Sequence, residues 1–500
     1  MLPLTPEQQA AVVCTDRRKK VVAGAGTGKT HLVVGQVQDW LDHGVLPETI
    51  AAVTFTRRAG EELRFRVRNA TGQDLGFVGT IHAFCLETLW EAGHNVIPVD
   101  PVDLDLVIQH VADDMRLSTA NLKDVAKAVT GDLKRKGGLT GADAALHASV
   151  LGHMADNRLV WVGDMLTVWI DAFNNDADLQ RLARYRAQFV VWDEYQDSND
   201  DEVVIHGLLD PEVLMVVGDP RQAIYQFRGA DPVHMQRFQG ASFDLTVNHR
   251  SVQSIVATAN DVAPPGLPPM SARRTEAGAV DRIDAEGMDR SLSSVAALLD
   301  AGRRPVHILC RSNREVAAWG RSLERGGVRV HVMSSRMDPY STPVWRDAYV
   351  AARWVLDPNN EWVNTTIATM AAQGRLDMDW LRYDVTTDDV MNRLLMGLPA
   401  LATTPDPARQ MPVADFVTWY SHRDLQDQLP GDGADPDVVI MTVHASKGLE
   451  FDTVLLADVG GRLGGRTAVD EVNLLYVGVT RARDHLVLEV VPKDRRWSDA

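Results

Sequence analysis

The sequence predicts an α/β protein built on two parallel β-sheets, each interrupted by a mainly helical segment. Short apolar and β-branched runs recur beside turn residues and alternate with helix-like stretches, a pattern typical of buried parallel strands. These runs lie at 20–23, 50–55, 189–192, 213–217, 306–310, 438–443 and 454–458. Two long intervals, 103–186 and 345–428, instead show helical spacing with few strand signals. We therefore expect two sheets and two helical insertions.

A proline-rich segment at 263–269 predicts the boundary between the two cores, because closely spaced prolines exclude both a helix and a central strand. At 500 residues the chain is long enough for several domains, each with its own core. The predicted domains are a first core at 1–100 and 187–268, its insertion at 101–186, a second core at 269–344 and 431–500, and a reduced insertion at 345–430.

Composition narrows the class of protein. No stretch approaches the roughly 20 apolar residues that span a bilayer, and the first residues lack the pattern of a secretory signal, so we expect a cytoplasmic protein without a membrane partner. Cys14, Cys85 and Cys310 are isolated, which predicts neither a disulfide framework nor a zinc site. The net charge of −17 argues against a wholly basic nucleic-acid-binding surface but allows a local basic or aromatic groove.

The most specific motif follows the first predicted strand, at 23–30. Gly24, Gly26 and Gly28 let successive backbone N–H groups converge on an anion. Lys29 can reach the terminal phosphates of a nucleotide, and the Thr30 hydroxyl can complete a Mg²⁺ coordination sphere. A glycine-rich turn is the alternative, but the strand, loop and helix in succession favour a phosphate-binding loop. We therefore expect the chain to bind a nucleoside triphosphate.

Two adjacent acids, Asp193 and Glu194, follow the strand predicted at 189–192. In an ATPase with such a phosphate loop, the first acid holds Mg²⁺ through water, and the second orients and deprotonates the attacking water. Paired acids also occur as solvated strand ends. The complete phosphate loop upstream favours the catalytic interpretation, with Thr30 and Asp193 as the metal-binding residues.

These motifs belong to a series that resembles the UvrD/Rep-type superfamily 1A DNA helicases, and the resemblance runs from residue 4 to residue 488. Besides the phosphate loop and the acidic pair, the matching segments are a Q motif at 4–8, motifs Ia and Ib at 52–57 and 79–84, motif III at 217–229, motif IV at 248–251, motif V at 441–451 and motif VI at 475–482. The resemblance implies two RecA-like parallel-sheet P-loop NTPase cores, each carrying a mainly helical insertion. It also implies an ATP-dependent DNA helicase.

The resemblance assigns an ATP site. The residues expected to be catalytic are Lys29, Asp193, Glu194, Gln222, Arg250 and Arg481. Those expected to contact the nucleotide are Gln8, Ala25, Gly26, Thr27, Gly28, Lys29, Thr30, His31, His249, Gly448 and Glu450. Gln8 is expected to read adenine through its amide, and Glu450 to bond the ribose.

The remaining catalytic groups are expected to act at the γ-phosphate. Gln222 follows a strand and is suited to sense this phosphate with its amide. Arg250 and Arg481 are far in sequence from Lys29 and are expected in the second core, because a guanidinium brought across a cleft stabilises the transition-state charge. A surface salt bridge is the alternative for either arginine.

The chain departs from the family's pattern at several positions. His31 and His249 stand where family members usually carry Arg and Tyr beside the adenine, which bears on selectivity for ATP. Phe227 replaces the family's motif III Trp, and the second insertion is much shorter than usual, which bears on the strength of unwinding.

A second group of residues is expected to bind nucleic acid. Flat side-chain faces stack on unpaired bases with about 1–3 kcal/mol per base and little regard to sequence, so such a site prefers single strands. A core position is the alternative for each aromatic. The residues of this group are Phe55, Thr56, Arg57, His82, Tyr225, Phe227, Arg228, Thr442 and His444.

The resemblance therefore predicts an ATP- and Mg²⁺-dependent motor on single-stranded DNA and tailed duplex DNA, with 3′ to 5′ polarity. ATP hydrolysis is expected between the two cores. Two alternatives stay open, a translocase that does not open duplex and a nucleotide-gated DNA-binding or scaffolding protein without motor activity. The sequence identifies no protein partner.

Overall fold

The chain forms two compact units. In the computed structural model the described residues are 3–117, 121–131, 138–284, 288–333, 342–359, 361–378, 380–381, 385–386, 389–403, 406–422, 436–458 and 468–490. The first unit comprises Met1–Ala92, Trp169–Ser334 and Gln428–Ala500. The second unit comprises Gly93–Val168 and Ser335–Asp427.

The β-strands are short and mostly buried. In chain order they are β1 (Arg18–Ala23), β2 (Ile50–Val53), β3 (Phe77–Gly79), β4 (Ile97–Val99), β5 (Leu159–Trp161), β6 (Phe189–Trp192), β7 (Val213–Gly218), β8 (Ala241–Leu245), β9 (Val247–Val252), β10 (Ser271–Arg274), β11 (Ala279–Asp284), β12 (Val306–Cys310), β13 (Val330–Val332), β14 (Val438–Thr442), β15 (Phe451–Leu456) and β16 (Ala482–Val490).

The helices occupy both units. In chain order they are α1 (Pro6–Val13), α2 (Lys29–Asp42), α3 (Arg57–Thr71), α4 (Ile81–Glu91), α5 (Pro101–Asp114), α6 (Leu122–Val129), α7 (Gly141–Asp156), α8 (Met165–Asn175), α9 (Ala177–Arg186), α10 (Asp200–Leu209), α11 (Val233–Arg237), α12 (Gln253–Val262), α13 (Met288–Asp300), α14 (Asn313–Arg325), α15 (Pro343–Leu356), α16 (Glu361–Ala372), α17 (Met391–Met396), α18 (Val413–His422) and α19 (Ala468–Val479).

The first unit contains two parallel sheets, each six-stranded over the described residues. The strand order is β3-β2-β6-β7-β1-β8 in the first sheet and β11-β16-β15-β12-β14-β13 in the second, and the paired strands are parallel throughout. The predicted fold class is confirmed. Because the strands of each sheet are parallel, their carboxyl ends meet at one edge, where ligands of such sheets bind.

Each of the seven strands expected from the sequence is present. All four residues of β2 and all five of β12 and β14 are buried. These strands lack alternation between polar and apolar residues because helices cover both faces of a parallel sheet. The sequence prediction misses five strands of these sheets: β3, β8, β11, β13 and β16. Strands β3 and β13 have only three residues, too few for a recognisable pattern.

The second unit is a helical body with one hydrophobic core drawn from both of its chain segments. Helix α5 of the first segment packs against α16 of the second, and the core includes Val107 and Ile108 together with Val363 and Ile367. The predicted domain boundaries stay predictions, and the boundary at 430/431 lies outside the described residues. In the part of the chain that the structure describes, no helix is both long and apolar enough to cross a membrane.

The buried polar contacts of the second unit also join its two segments. Arg353 Nη1 donates to both carboxylate oxygens of Asp103, at 3.0 and 3.1 Å, and to the Tyr349 hydroxyl at 2.9 Å. The ring Nδ1 of His110 lies 2.8 Å from the hydroxyl of Thr365. Two segments separated by more than 150 residues of sequence therefore form one folded body.

Candidate ATP and nucleic-acid site

The phosphate loop joins β1 to α2 in the first unit. β1 ends at Ala23 and α2 begins at Lys29, with Thr30 as its second residue. Gly26 and Gly28 have φ angles of 71° and 85°, which only glycine adopts without strain. The loop therefore ends at the N-terminus of α2. Backbone N–H groups at such a helix end bind phosphate groups.

The buried amide of Gln8 holds this loop from α1. Its Nε2 donates to the carbonyl oxygens of Thr27 and Gly28, both at 3.2 Å, and its Oε1 accepts from the backbone N–H of Thr5 at 3.0 Å. Both ends of the amide are thus engaged within the protein. Gln8 shapes the phosphate loop, and its contact with adenine stays a prediction.

Strand β9 holds the loop from the other side. Asn248 Nδ2 donates to the Ala25 carbonyl at 2.7 Å, and the His249 backbone N–H donates to the Gly26 carbonyl at 2.8 Å. Arg250 lies on β9, which pairs with β10 in a two-stranded sheet outside both six-stranded sheets. Its Nη1 donates to the Thr480 carbonyl at 3.0 Å, and its assignment to the second core stays a prediction.

Lys29 is paired with the second of the two adjacent acids. Its Nζ lies 2.6 Å from Glu194 Oε1. Burial opposes the charge of Lys29, but the carboxylates of Glu194 and Asp193 outweigh it and raise the lysine pKa. Burial likewise opposes the charge of Glu194, and Lys29 outweighs it and lowers the pKa of that carboxyl. Burial and the adjacent Glu194 raise the pKa of Asp193.

A chain of hydrogen bonds leads from this ion pair to the second sheet. Gln196 Nε2 donates to Glu194 Oε2 at 2.6 Å, and Gln196 Oε1 accepts from the backbone N–H of Asp219 at 2.9 Å. Gln222 Nε2 donates to Asp219 Oδ2 at 3.0 Å, and Gln222 Oε1 accepts from Arg481 Nη2 at 3.2 Å. Lys29 and Arg481 therefore stand at two ends of one network.

The two predicted arginines differ in surroundings. Arg481 is 1% exposed, and its Nε and Nη1 donate to the carbonyls of Val477 and Leu449. Burial and the nearby Arg250 lower the pKa of Arg481 to about 9, which leaves it charged at neutral pH. Arg250 is half-buried, with its Nε 2.7 Å from Glu450 Oε2.

Four other residues are predicted to contact the nucleotide. His31 and His249 lie near the phosphate loop, and Gly448 and Glu450 lie in the second core. Burial and the neighbouring charges of Arg273 and His31 lower the pKa of His249. His31 Nε2 is buried and has no hydrogen-bond partner among the described residues. Gly448 lies in the segment after β14 with a φ angle of 86°, two residues before Glu450.

The sequence did not single out the buried ion pair between Lys447 and Asp197. Lys447 Nζ contacts Asp197 Oδ2 and donates to the Gln222 carbonyl at 2.8 Å. Lys447 follows β14 of the second sheet, and Asp197 follows β6 of the first. Lys447 lies inside motif V, and Asp197 follows the acidic pair by three residues. Nothing in the sequence indicates that they pair, because 250 residues separate them.

Four of the predicted DNA-binding rings form one cluster. Phe55 and Tyr225 are stacked, with ring centroids 4.9 Å apart and an interplanar angle of 21°. Phe227 lies 6.0 Å from Tyr225 and 5.6 Å from His444, and half of its surface is exposed. The Arg228 guanidinium lies 5.3 Å from the Tyr225 ring centroid. The cluster thus combines flat faces with a cation, as single-strand sites do.

The other residues predicted to bind DNA are not part of this ring cluster. Thr56 is the N-cap of α3, its hydroxyl accepting from the Ala59 N–H at 3.2 Å, and Arg57 begins the helix. Thr442 is buried at the end of β14. His82 is the second residue of α4, and burial and Arg57 lower its pKa. Within the described residues its ring contacts none of the cluster rings.

The site offers few ligands of its own for a metal. Among the described residues, no group of three or more His, Cys, Asp and Glu side chains is arranged to hold an ion. The Thr30 hydroxyl and the Asp193 carboxylate are nevertheless hard oxygen donors of the kind that Mg²⁺ prefers when phosphates and water supply its other ligands. The raised pKa of Asp193 reflects a buried carboxylate whose charge a cation would stabilise.

Models of two known domain families match long parts of the chain. A model of the UvrD/REP helicase N-terminal domain matches residues 4–137 and 140–242, and a model of the UvrD-like helicase C-terminal domain matches residues 437–488. The first match contains Lys29, Glu194 and Gln222, and the second contains Arg481.

Individual relatives are named as ATP-dependent DNA helicases. The chain is 26% identical to the ATP-dependent DNA helicase PcrA of Leuconostoc citreum, over 96% of this chain and 81% of that protein. It is 27% identical to the PcrA of Staphylococcus epidermidis and 26% identical to that of Staphylococcus aureus, in each case over 52% of this chain and 40% of the relative.

Proposed function

This chain belongs to the UvrD/Rep family of helicases, and we propose that it is an ATP-dependent DNA helicase that moves along single-stranded DNA with 3′ to 5′ polarity. The observation that carries this proposal is the hydrogen-bond network from Lys29 and Glu194 through Gln222 to Arg481. It joins the ends of both parallel sheets, so a nucleotide that alters one end changes how the sheets are held together. The cytoplasmic location expected from the sequence is part of this proposal.

Lys29 and Glu194 would exchange partners when ATP binds. The phosphate loop and the Lys29 ammonium bind the β- and γ-phosphates, so the ammonium leaves the Glu194 carboxylate. Lys29 holds the pKa of Glu194 down, and its departure raises that pKa. Glu194 then becomes a better acceptor for the proton of the attacking water. The base is thereby activated only when phosphate is present.

The arginines would complete the site from the far side of the nucleotide. Gln222 senses the γ-phosphate with its amide, and the Arg250 and Arg481 guanidiniums stabilise the charge that develops on the transferred group. Arg250 leaves Glu450 for this purpose, and the freed carboxylate bonds the ribose. Gln8, His31 and His249 surround the base, while Gly448 allows the turn that brings Glu450 to the sugar.

Mg²⁺ fits the pair of oxygen donors supplied by Thr30 and Asp193. The ion would neutralise phosphate charge, which is its role in enzymes of this class. The Thr30 hydroxyl and the Asp193 carboxylate would hold it. Glu194 would then be left to accept the proton once Lys29 has moved to the phosphates.

The aromatic cluster would hold the strand. Bases stack on Phe55, Tyr225, Phe227 and His444 without regard to sequence, and His82 offers a further face. Thr56, Arg57, Arg228 and Thr442 bind backbone phosphates. Gln222 and Tyr225 lie three residues apart, so a change at the γ-phosphate alters how strongly the cluster binds the bases. Alternation between strong and weak binding of the strand produces movement.

The proposal is tested by ATP turnover with and without single-stranded DNA, together with unwinding of duplexes that carry either a 3′ or a 5′ single-stranded tail. We expect turnover to rise with DNA and unwinding to require the 3′ tail. Stimulated turnover with no unwinding of either duplex indicates a translocase that does not open duplex. Nucleotide-dependent DNA binding without turnover would instead identify a scaffolding protein and contradict the proposal.

A further inference from the structure

One face of α19 presents buried polar groups to the segment that carries Gln222. Asn473 and Tyr476 are three residues apart, so they lie on the same side of the helix. Asn473 Nδ2 donates to the Ala223 carbonyl at 2.9 Å, and the Tyr476 hydroxyl donates to Asp219 Oδ2 at 3.2 Å. Asn473 is 2% exposed and Tyr476 is fully buried. None of the roles assigned above uses either side chain.

The Tyr476 hydroxyl also reaches the phosphate loop. Its oxygen accepts from the backbone N–H of Ala25 at 3.5 Å, while its hydrogen is given to Asp219. The Arg221 guanidinium lies 5.2 Å from the centroid of its ring, and the Met270 sulfur lies 3.7 Å from its hydroxyl oxygen. One phenol therefore joins the second core, the phosphate loop and Asp219.

Asp219 is the centre on which this arrangement depends. Its Oδ1 accepts from the backbone N–H and the Nε of Arg221, and its Oδ2 accepts from Gln222 and Tyr476. The side chain is completely buried. Tyr476 and Gln222 share one carboxylate oxygen, so loss of the tyrosine hydroxyl alters the acceptor that orients the Gln222 amide. A hydrogen bond to a buried charged group is stronger than one between neutral groups, so its loss weakens this arrangement.

We propose that Tyr476 is a positioning residue that couples closure of the two cores to the γ-phosphate sensor, by holding Asp219 and thereby Gln222 in place. This inference rests on the proposed ATPase function. Tyr476 acts through Asp219 and does not touch the nucleotide. Its effect is therefore on turnover and not on nucleotide affinity, which Lys29 and the loop N–H groups provide.

The test is the Tyr476→Phe variant, which keeps the ring and removes only the hydroxyl. We expect DNA-stimulated kcat to fall about tenfold, because one charge-assisted hydrogen bond is lost. KM for ATP should change by less than about twofold. KM is not expected to rise, because the Ala25 N–H that is released becomes available to phosphate.

The matched control is Tyr349→Phe. Tyr349 is equally buried and its hydroxyl also bonds a charged partner, Arg353, but it belongs to the second unit. We expect this variant to lose comparable stability and to keep its kcat. Equal kcat losses in the two variants would show a general stability effect and overturn the role of Tyr476.

A second variant protects the test against misfolding. Asp219→Asn keeps the shape of the side chain, and the double variant with Tyr476→Phe should turn over no more slowly than Asp219→Asn alone, because both changes break one network. Additive losses, or a Tyr476→Phe enzyme with wild-type kcat, would refute the inference. Wild-type turnover without DNA stimulation would contradict the proposed function itself, and the role of Tyr476 with it.

Discussion

Lys29 Nζ and Glu194 Oε1 form an ion pair at 2.6 Å, so the phosphate-binding lysine and the predicted general base neutralise each other in this structure. The pairing explains why the pKa of Lys29 is raised while that of Glu194 is lowered. It also means that the base is held by the same cation that a phosphate would attract. ATP is therefore expected to release the base by competing for Lys29.

Substitution of Lys29 by Ala is expected to abolish ATP turnover while leaving affinity for single-stranded DNA, because the aromatic cluster does not depend on the ammonium. The measurement is ATP turnover and DNA binding for the same preparation. Lys20→Ala is the control, since Lys20 lies on the same strand–loop segment and its Nζ donates to a surface carbonyl, that of Gln236. DNA-stimulated turnover in Lys29→Ala would refute the assignment of the phosphate loop.

Replacement of Arg481 by Lys keeps the positive charge but removes the planar guanidinium, whose N–H donors have a fixed geometry. Arg481 donates to Gln222, Val477 and Leu449, a set that an ammonium cannot reproduce. We expect kcat to fall about ten- to a hundredfold, corresponding to the roughly 1.5–3 kcal/mol of a charged hydrogen bond. Arg325→Lys, at an exposed helix end, should leave kcat unchanged. A wild-type kcat in Arg481→Lys would exclude this residue from the transition state.

The stacked pair of Phe55 and Tyr225 predicts a loss of DNA affinity in Phe55→Ala. Removing one stacking face costs about 1–3 kcal/mol, so the dissociation constant for a short single strand should rise between about five- and a hundredfold. The comparison is Phe65→Ala, because Phe65 is a Phe that is 67% exposed on the following helix, outside the cluster. Equal affinity losses in the two variants would contradict a specific role for Phe55.

The buried pair of Asp103 and Arg353 holds the two segments of the helical unit together. Burial raises the pKa of Asp103 to about 6 even with Arg353 as its partner. Arg353→Met leaves that carboxylate uncompensated and should lower the stability of this unit by about 3–5 kcal/mol at pH 7. The loss should shrink as the pH falls towards 5, because an acid with a raised folded-state pKa is protonated first in the folded protein.

Thermal unfolding of Arg353→Met and of the double variant Asp103→Asn/Arg353→Met separates these contributions. The double variant should recover part of the lost stability, since it removes the buried charge along with its partner. A double variant less stable than Arg353→Met would show that the pair acts only by packing.

Three buried histidines predict loss of stability in acid. Burial lowers the pKa of His206, His307 and His444 to about 4, against 6.5 for an exposed imidazole. Below pH 6.5 the unfolded chain therefore binds more protons than the folded chain, and stability falls as the pH drops towards 4. Each such group contributes up to about 3 kcal/mol.

His307 is the suitable probe of this effect, because its ring stacks on Phe451 at 3.8 Å and none of the proposed roles involves it. The melting temperature of His307→Leu should decline less steeply between pH 6.5 and 4.5 than that of the wild type. Parallel declines would show that His307 is protonated alike in both states.

Much of the site could be predicted from the sequence because its parts are local. Gly26, Gly28 and Lys29 specify a loop by their spacing, and β6 runs directly into Asp193 and Glu194, so the order of residues fixes their place at the strand end. Arg250 shows the limit of such reasoning. Its motif was recognised, but a motif does not reveal which core its strand joins, and β9 joins neither six-stranded sheet.

By itself the sequence determined the parallel strands, the phosphate loop and the order of the motifs, since each depends on neighbouring residues. Only the tertiary structure decided which distant groups meet. Asp103 and Arg353 are 250 residues apart, as are Asp197 and Lys447, while Asp219 and Tyr476 are 257 apart. Such pairs have no local signature, because the burial that makes each contact strong is created only when the separate segments pack together.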